Sequence, residues 1–185
     1  FEGPDGPVTL AGLFDGRAQL VVQHFMFHPD WEAGCKSCSF WADSFDHAVD
    51  HLPGRDTSFA AVSRAPIETL EAFRKRMGWT FRWVSSHGSD FNYDFDVSFT
   101  PDELAGGKVY YNFQETTFPA PEAPGISVFA RDDDGAVYRT YSTYGRGLDP
   151  MNATYQLLDL TPKGRDEDGL SYSMEWVALR GEGNG

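Results

Sequence analysis

The chain is 185 residues long, 41% hydrophobic and 15% aromatic, so a single domain can bury a core without disulfide staples. Its formal net charge is -13, from 28 acidic and 15 basic side chains. Such a surface repels nucleic-acid phosphates and anionic lipid, which argues against both as partners. No apolar run reaches the ~20 residues that a membrane-spanning helix needs.

The start of the chain and its cysteine content predict a cytoplasmic protein. The first residues, FEGPDGPV, lack the basic and apolar regions of a signal peptide. Two cysteines in a chain of this size fit a reducing compartment better than a disulfide scaffold. Because the chain begins with Phe1 and not with methionine, upstream residues and export stay open.

The first half of the chain alternates between strand and helix patterns. QLVVQHFMF, residues 19–27, is a continuous apolar run that predicts a buried central strand. Apolar residues then recur every three or four positions as far as Leu52, which predicts one helix beginning at or just before Cys35. TSFAAVS, residues 57–63, predicts a second strand, and APIETLEAFRKRMG predicts a helix that Gly78 ends.

The second half predicts a third strand, a long excursion and a hairpin. WTFRWVSS, residues 79–86, is the strand, and residues 86–124 are interpreted as loop with one short strand near residues 108–113. GISVFARDDDGAVYRTYST predicts two strands around a turn at residues 132–135. DPMNATYQLLDL predicts a helix for which Asp149 is the cap.

This order of elements predicts the fold class. Strands that alternate with helices indicate an α/β protein with a central β-sheet and helices on both faces. The later hairpin makes the sheet mixed rather than all parallel. We expect a single domain over residues 1–168 and a C-terminal tail over residues 169–185.

The stretch GCKSCSF contains both cysteines of the chain, Cys35 and Cys38. A helix that begins directly after a buried strand presents free NH groups and its positive dipole end, which stabilise a thiolate at Cys35. Cys38 lies one helical turn later and can close a short disulfide with it. The motif in this position predicts a thiol–disulfide oxidoreductase in which Cys35 is the nucleophile and Cys38 the resolving thiol, with no cofactor.

Three further residues are expected to support that dithiol. Lys36 adds positive charge beside the thiolate, and Trp31 lies four residues before Cys35 in a loop that covers the site. Arg64, at the end of the second strand, can reach the same edge of the sheet. The substrate is expected to be a disulfide or another small molecule that the sequence does not specify.

A metal site is the alternative interpretation of the same motif. Two cysteines at this spacing are soft ligands that suit copper or zinc, and iron is also considered. His28 and His87 lie in loops expected at the carboxyl ends of strands, where sites collect in parallel sheets. The alternative metal set is therefore Cys35, Cys38, His28 and His87.

A third class is a non-catalytic binding module in which the cysteines are inert. The aromatic residues between the third strand and the hairpin then serve as core or as a contact surface. A homodimer is compatible with every one of these interpretations.

Four segments resemble a known family, namely QHFMFHPDWEAGCKSCSFWAD, AAVSRAP, GWTFRWVSSHGSDFNYDF and YQLLDLTPKGRDE. Over roughly residues 3–168 the chain is similar to a bacterial and fungal thioredoxin-like family, domain of unknown function 899, which is related in pattern to the peroxiredoxin and thioredoxin superfamily. The resemblance implies a thioredoxin-like fold with the two cysteines at the N-terminus of the first main helix. The chain departs from thioredoxins in carrying Lys36 and Ser37 between the cysteines, and Pro124 is the candidate for the proline that faces them.

Overall fold

Nine strands and six α-helices form in the computed structural model, which describes residues 1–182. The strands are β1 (Glu2–Gly3), β2 (Gly6–Pro7), β3 (Gln19–His24), β4 (Thr57–Ser63), β5 (Arg82–Ser85), β6 (Val109–Tyr111), β7 (Gln114–Thr116), β8 (Gly125–Arg131) and β9 (Val137–Tyr144). The helices are α1 (Leu10–Leu13), α2 (Lys36–Phe45), α3 (Ile67–Met77), α4 (Phe91–Asp94), α5 (Pro101–Ala105) and α6 (Ala153–Leu158).

Seven of these strands form one sheet in the order β2-β1-β5-β4-β3-β8-β9. The neighbours β3 and β4 are parallel, as are β4 and β5, whereas β8 runs antiparallel to β3 and β9 antiparallel to β8. The sheet is therefore mixed, and the predicted α/β class with a central mixed sheet is confirmed.

Alternation along β3 divides the core between the two faces of the sheet. The dithiol face, represented by Val21 and Gln23, packs on α2 and α3 in clusters that include Cys38, Trp41 and Leu70. The aromatic face of the same sheet carries Leu20, Val22 and His24, which meet α1 and the rings of α4 and of the turn after it. Helices thus cover both faces, and those on the dithiol face are the longer ones.

The helix predicted to extend as far as Leu52 ends at Phe45. Asp46 leaves the helical conformation and His47 takes a positive φ of 65°, after which Ala48–Arg55 form a 3-10 helix. The buried Asp46 carboxylate accepts hydrogen bonds from the backbone NH of Thr80 at 2.8 Å and from its hydroxyl at 2.9 Å. Asp46, directly after the last residue of the helix, thus binds Thr80, which is distant in sequence. Helical periodicity alone does not reveal this end of the helix.

Two other sequence predictions need an addition or a correction. Residues 86–124 are mostly loop, and β6 lies within the strand predicted there, but α4, α5 and the second hairpin strand β7 were not predicted; Thr100 and Glu103 form a capping box at α5. The last helix, α6, is capped by Asn152 rather than by Asp149. Asp149 instead forms an ion pair with Arg165, at a distance of 2.6 Å.

Within residues 169–182, several side chains pack against the sheet-and-helix core. Val177 and Leu179 are buried, and Leu179 belongs to the same apolar cluster as Cys38. Arg180 binds the Asp43 carboxylate of α2 at 2.7 Å. Where the domain ends stays a prediction. Among residues 1–182, none of the helices combines the length and apolar composition needed to cross a bilayer.

Candidate functional site

Both cysteines lie at the start of α2, where the chain returns from the end of β3. Cys35 is the N-cap residue, and Cys38 follows in the first turn. Two hydrogen bonds hold the motif against the chain that follows β3. The NH of Cys35 donates to the carbonyl oxygen of Met26 at 3.1 Å, and the NH of Met26 donates to the sulfur of Cys38 at 3.4 Å. The thiols are free, not disulfide-bonded. The structure therefore places them where the sequence predicted.

The two thiols differ in exposure and in acidity. Cys35 is partly exposed, whereas Cys38 is 2% exposed. Hydrogen bonding from the Cys38 thiol, aided by Ser37 and the first backbone NH groups of the helix, lowers the pKa of Cys35 to about 7. Burial, and then the adjacent Cys35 sulfur, raises the pKa of Cys38 well above its ordinary value. Cys35 is thus the thiol that both ionises near neutrality and can be reached.

The helix start acts on Cys35 mainly as a set of oriented dipoles. The Cys35 side chain makes no capping hydrogen bond of regular geometry. The NH groups of Ser37 and Cys38 still lie close enough to stabilise its thiolate, as expected at the positive end of a helix dipole. The carbonyl oxygen of Cys35 accepts from the NH and from the hydroxyl of Ser39, each at 2.9 Å, which fixes the backbone of the motif.

A buried ion pair lies next to the dithiol. The Arg64 guanidinium is 3.1 Å from the carboxylate of Glu122, which is 1% exposed and also accepts from the Ser98 hydroxyl at 2.5 Å. Burial raises the pKa of Glu122, and its negative charge contributes to the raised pKa of Cys38. Glu122 was not among the site residues expected from the sequence. The available signal is a single acidic residue within PEAP, directly before a buried strand.

Arg64, expected near the dithiol, reaches the site through Glu122. Its guanidinium also lies over the Tyr93 ring, 4.9 Å from the centroid, and its backbone carbonyl is 3.1 Å from Nδ1 of His87. Arg64 therefore pairs with the Glu122 carboxylate, partly offsetting the effect of burial on its pKa, and links the ends of β4 and β5. The groups that lower the pKa of Cys35 are Cys38 and Ser37.

The other two supporting residues border the motif. Trp31 is partly buried against the apolar cluster that also borders Cys35, and its backbone NH donates to the His28 carbonyl at 3.0 Å. Lys36 is exposed at the first position of α2. The expected effect of its charge on Cys35 stays a prediction.

The alternative metal set is not assembled. Within residues 1–182, no three His, Cys, Asp or Glu side chains come together as a group that could hold a metal ion. Nδ1 of His28 accepts from the NH of Asp30 at 3.2 Å, and the ring of His87 is bound to the Arg64 carbonyl. Local partners thus hold both imidazoles, and the described part of the chain does not bring Cys35, Cys38, His28 and His87 together as one ligand set.

A small apolar cavity adjoins the buried thiol. It measures about 110 Å³ and is lined by residues of β3, α2, the chain before β8, the 3-10 turn after β9 and the C-terminal segment: Gln23, Ser37, Cys38, Trp41, Pro124, Gly145, Arg146, Leu148 and Met174. A larger and more open groove of about 480 Å³ lies beside residues 176–181 and includes neither cysteine. The small cavity thus adjoins the sulfur of Cys38.

Tyr111 ties the β6–β7 hairpin to that cavity. Its hydroxyl donates to the carbonyl of Pro124 at 2.7 Å and accepts from the NH of Gly145 at 2.8 Å. Both of those residues line the cavity. The sequence predicted one short strand here but neither its partner β7 nor the contact of Tyr111 with the cavity, so the contribution of the hairpin to the site could not be expected from the sequence.

Solved structures with a similar backbone are peroxiredoxins. A cysteine-to-serine variant of peroxiredoxin Q from Xanthomonas campestris is 14% identical, with a TM-score of 0.51 over 84% of this chain and 89% of that chain. Peroxidoxin BcpB from Mycobacterium tuberculosis is 18% identical, with a TM-score of 0.50 over 85% of this chain and 92% of that chain. At these identities the likeness shows the fold alone, and it is the thioredoxin-like fold that the sequence predicted.

No curated protein matches the chain significantly. A family model described as bacterial protein of unknown function, DUF899, matches residues 1–182. The motif resemblance seen in the sequence is thereby confirmed, and the chain belongs to the DUF899 family.

Proposed function

We propose that the protein is a thiol–disulfide oxidoreductase in which Cys35 is the nucleophile and Cys38 the resolving thiol. The observation that supports this proposal is the contrast between the two sulfurs. Cys35 is partly exposed with a pKa of about 7, and Cys38 is buried with a raised pKa. Since a thiolate attacks disulfides and a thiol does not, this contrast orders the two steps.

In the first step, the Cys35 thiolate attacks one sulfur of the substrate disulfide. A mixed disulfide forms at Cys35, and the other substrate sulfur leaves as a thiolate. In the second step, Cys38 loses its proton and attacks the Cys35 sulfur. The Cys35–Cys38 disulfide forms, the second substrate sulfur leaves, and two electrons have passed from the protein to the substrate.

The first step itself activates the second. Hydrogen bonding to Cys35 and the charge of its thiolate both raise the pKa of Cys38. Once Cys35 is part of a mixed disulfide, that charge is gone and the Cys38 pKa falls. Burial, the largest cause of the raised Cys38 pKa, and the smaller contribution of the Glu122 charge are the same before and after this step. Cys38 is thereby least reactive while Cys35 is a free thiolate.

The experiment uses bis(2-hydroxyethyl) disulfide, a small uncharged substrate, with Cys38→Ser and Cys35→Ser as matched variants. In Cys38→Ser we expect a stable adduct of one hydroxyethylthiol on Cys35, visible by intact mass spectrometry. In wild type the adduct should be transient and end in a Cys35–Cys38 disulfide. Cys35→Ser should stay unmodified. Equal modification of both variants, or no internal disulfide in wild type, would contradict the proposal.

A further inference from the structure

The cavity beside Cys38 has the size and lining of a binding site for a small apolar group. Its volume is about 110 Å³, and Trp41, Leu148 and Met174 supply much of its wall. An apolar cavity of roughly 150 Å³ is enough to bind benzene, so this one accommodates about four or five heavy atoms. The same cavity is lined by Ser37 and Cys38 of the motif, and the Cys38 thiol is hydrogen-bonded to Cys35, so a group bound there lies one sulfur away from the nucleophile.

The free surface of the cavity is almost entirely apolar. Gln23 lines it but is 1% exposed, and its Nε2 donates to the carbonyl of Cys38 at 3.3 Å. Its Oε1 has no hydrogen-bond partner and is sealed from the free volume, so a ligand donor does not reach it. The lining therefore suits an apolar group that carries no polar atom of its own.

The charges around the cavity argue against an anionic ligand. Arg146, the cationic residue of the wall, is half exposed, and its guanidinium is bound to Asp149 at 2.7 Å. Its charge is therefore already balanced. The net charge of -13 further repels anions. A peptide thiol that carries several carboxylates is thus a poorer match than an uncharged molecule.

We propose that this cavity is the substrate-specificity site of the dithiol, and that it takes an uncharged aliphatic group of four or five heavy atoms bonded to the reacting sulfur. The inference rests on the proposed function of Cys35. During exchange the group lies against Cys38 and Leu148 while Cys35 bonds to its sulfur. Release follows when Cys38 attacks Cys35.

Alkyl 2-pyridyl disulfides test this site, because Cys35 attack forms Cys35–S–S–alkyl and releases pyridine-2-thione, which is followed by absorbance. For each probe, the rate with the protein is divided by the rate with dithiothreitol. The alkyl groups compared are methyl, ethyl, n-propyl, n-butyl, 3-hydroxypropyl and n-octyl. We expect a rise of about two- to fourfold per methylene up to n-butyl, since each buried methylene adds about that factor. The 3-hydroxypropyl probe should react more slowly than n-butyl, because its hydroxyl finds no partner on the apolar wall, and n-octyl should gain nothing further.

A variant in which the cavity is filled should lose this preference for longer alkyl chains. Leu148→Phe adds bulk to the wall, and we expect it to reduce the methyl-to-butyl increase to less than twofold. Leu160→Phe makes the same change at a residue that is 82% exposed, and it should behave as wild type. If corrected rates are flat with chain length in wild type, the specificity site is wrong and the proposed function stands. If no probe reacts at Cys35, both are wrong.

A structure of the n-butyl mixed disulfide on Cys35, trapped in Cys38→Ser, gives a second readout that does not depend on the folding of Leu148→Phe. We expect the butyl chain inside the cavity, in contact with Leu148 and Met174. A butyl chain in solvent, with only water in the cavity, would overturn the inference.

Discussion

Two adjacent residues at the end of β3, Gln23 and His24, show how the two faces of the sheet differ. Each is 1% exposed, and each has one buried polar atom without a partner, Oε1 of Gln23 and Nδ1 of His24. Gln23 meets the cavity beside Cys38. His24 is held by the Ser127 hydroxyl at 2.8 Å and lies against the Phe91 ring.

Equal burial therefore has different consequences on the two faces. On the dithiol face, Gln23 borders an apolar cavity that also reaches a cysteine sulfur, which is what binding of a small apolar group needs. On the aromatic face, rings surround the imidazole, and burial lowers the pKa of His24 to about 3. We infer that the dithiol face carries chemistry, and that the aromatic face carries stability.

The largest expected effect concerns the aromatic face. The unfolded chain binds a proton at His24 near pH 6.5, whereas the folded protein does so only near pH 3. The folded state therefore binds fewer protons in this window, and stability falls as the pH drops from 6.5 towards 3. The loss is on the order of 4 kcal/mol, because a difference of one pKa unit between the two states corresponds to about 1.4 kcal/mol. His24→Gln should remove most of this dependence in urea unfolding followed across the pH range.

A matched control for that experiment is His51→Gln, at an exposed position on the 3-10 helix after α2. It should retain the wild-type loss on acidification. His24→Gln should also leave thiol exchange at Cys35 within about twofold, since neither the imidazole nor its partners touch the dithiol. A large change in exchange would break the separation of the two faces.

The second prediction sharpens the contrast within the dithiol face. At pH 7 about half of Cys35 is thiolate, whereas Cys38 is protonated and buried. Iodoacetamide should therefore label Cys35 at least about a hundredfold faster than Cys38 in the folded protein. Peptide mass spectrometry over time gives both rates, and the Cys35 rate should titrate with a midpoint near pH 7.

The control for this labelling is the unfolded chain. In concentrated urea the two cysteines should react at similar rates, because burial and the helix start no longer distinguish them. A similar ratio in both states would show that the neighbouring residues in sequence, and not the fold, set the reactivity.

The fold and the closeness of the two cysteines could be predicted from the sequence because their signals are local. Continuous apolar and β-rich runs gave the strands, and the motif after β3 gave the helix start. Glu122 could not be predicted as a site residue, since its partner Arg64 is 58 positions away. The metal alternative depended on two loops being close, and the closeness of loops says nothing about which neighbours hold the rings of His28 and His87.

The third prediction tests the carboxylate of Glu122 by its pH dependence. Burial raises the pKa of Glu122, so the folded state holds this proton more tightly than the unfolded state. Its contribution to stability is present below the ordinary glutamate pKa and is lost as the pH rises through the folded pKa. The wild-type protein therefore loses stability through this carboxyl group as it ionises.

Glu122→Gln should therefore gain stability relative to wild type as the pH rises from 4 towards neutrality, as measured by urea unfolding. Glu115→Gln, on the exposed β7 strand, removes the same charge from a carboxylate whose side chain is 73% exposed and should show little such trend. A difference between Glu122→Gln and wild type that stays constant with pH would show that Glu122 does not titrate in this window.

The smallest expected effect separates the Cys38 hydrogen bond from the helix start. The interaction that does most to lower the pKa of Cys35 is the hydrogen bond from the Cys38 thiol. Cys38→Ala removes this donor, whereas Cys38→Ser keeps a hydroxyl in its place. The midpoint of Cys35 alkylation should move towards the ordinary cysteine value of about 8.5 in the alanine variant, and less far in the serine variant.

At pH 7 this predicts alkylation about three- to tenfold slower in Cys38→Ala than in wild type, with Cys38→Ser in between. The helix start is unchanged in both variants, so the remaining depression of the pKa measures the contribution of the NH groups of Ser37 and residue 38. If both variants titrate together near pH 7, the helix start alone sets the acidity of Cys35. The second sulfur would then act only as the resolving thiol, with no part in preparing the first.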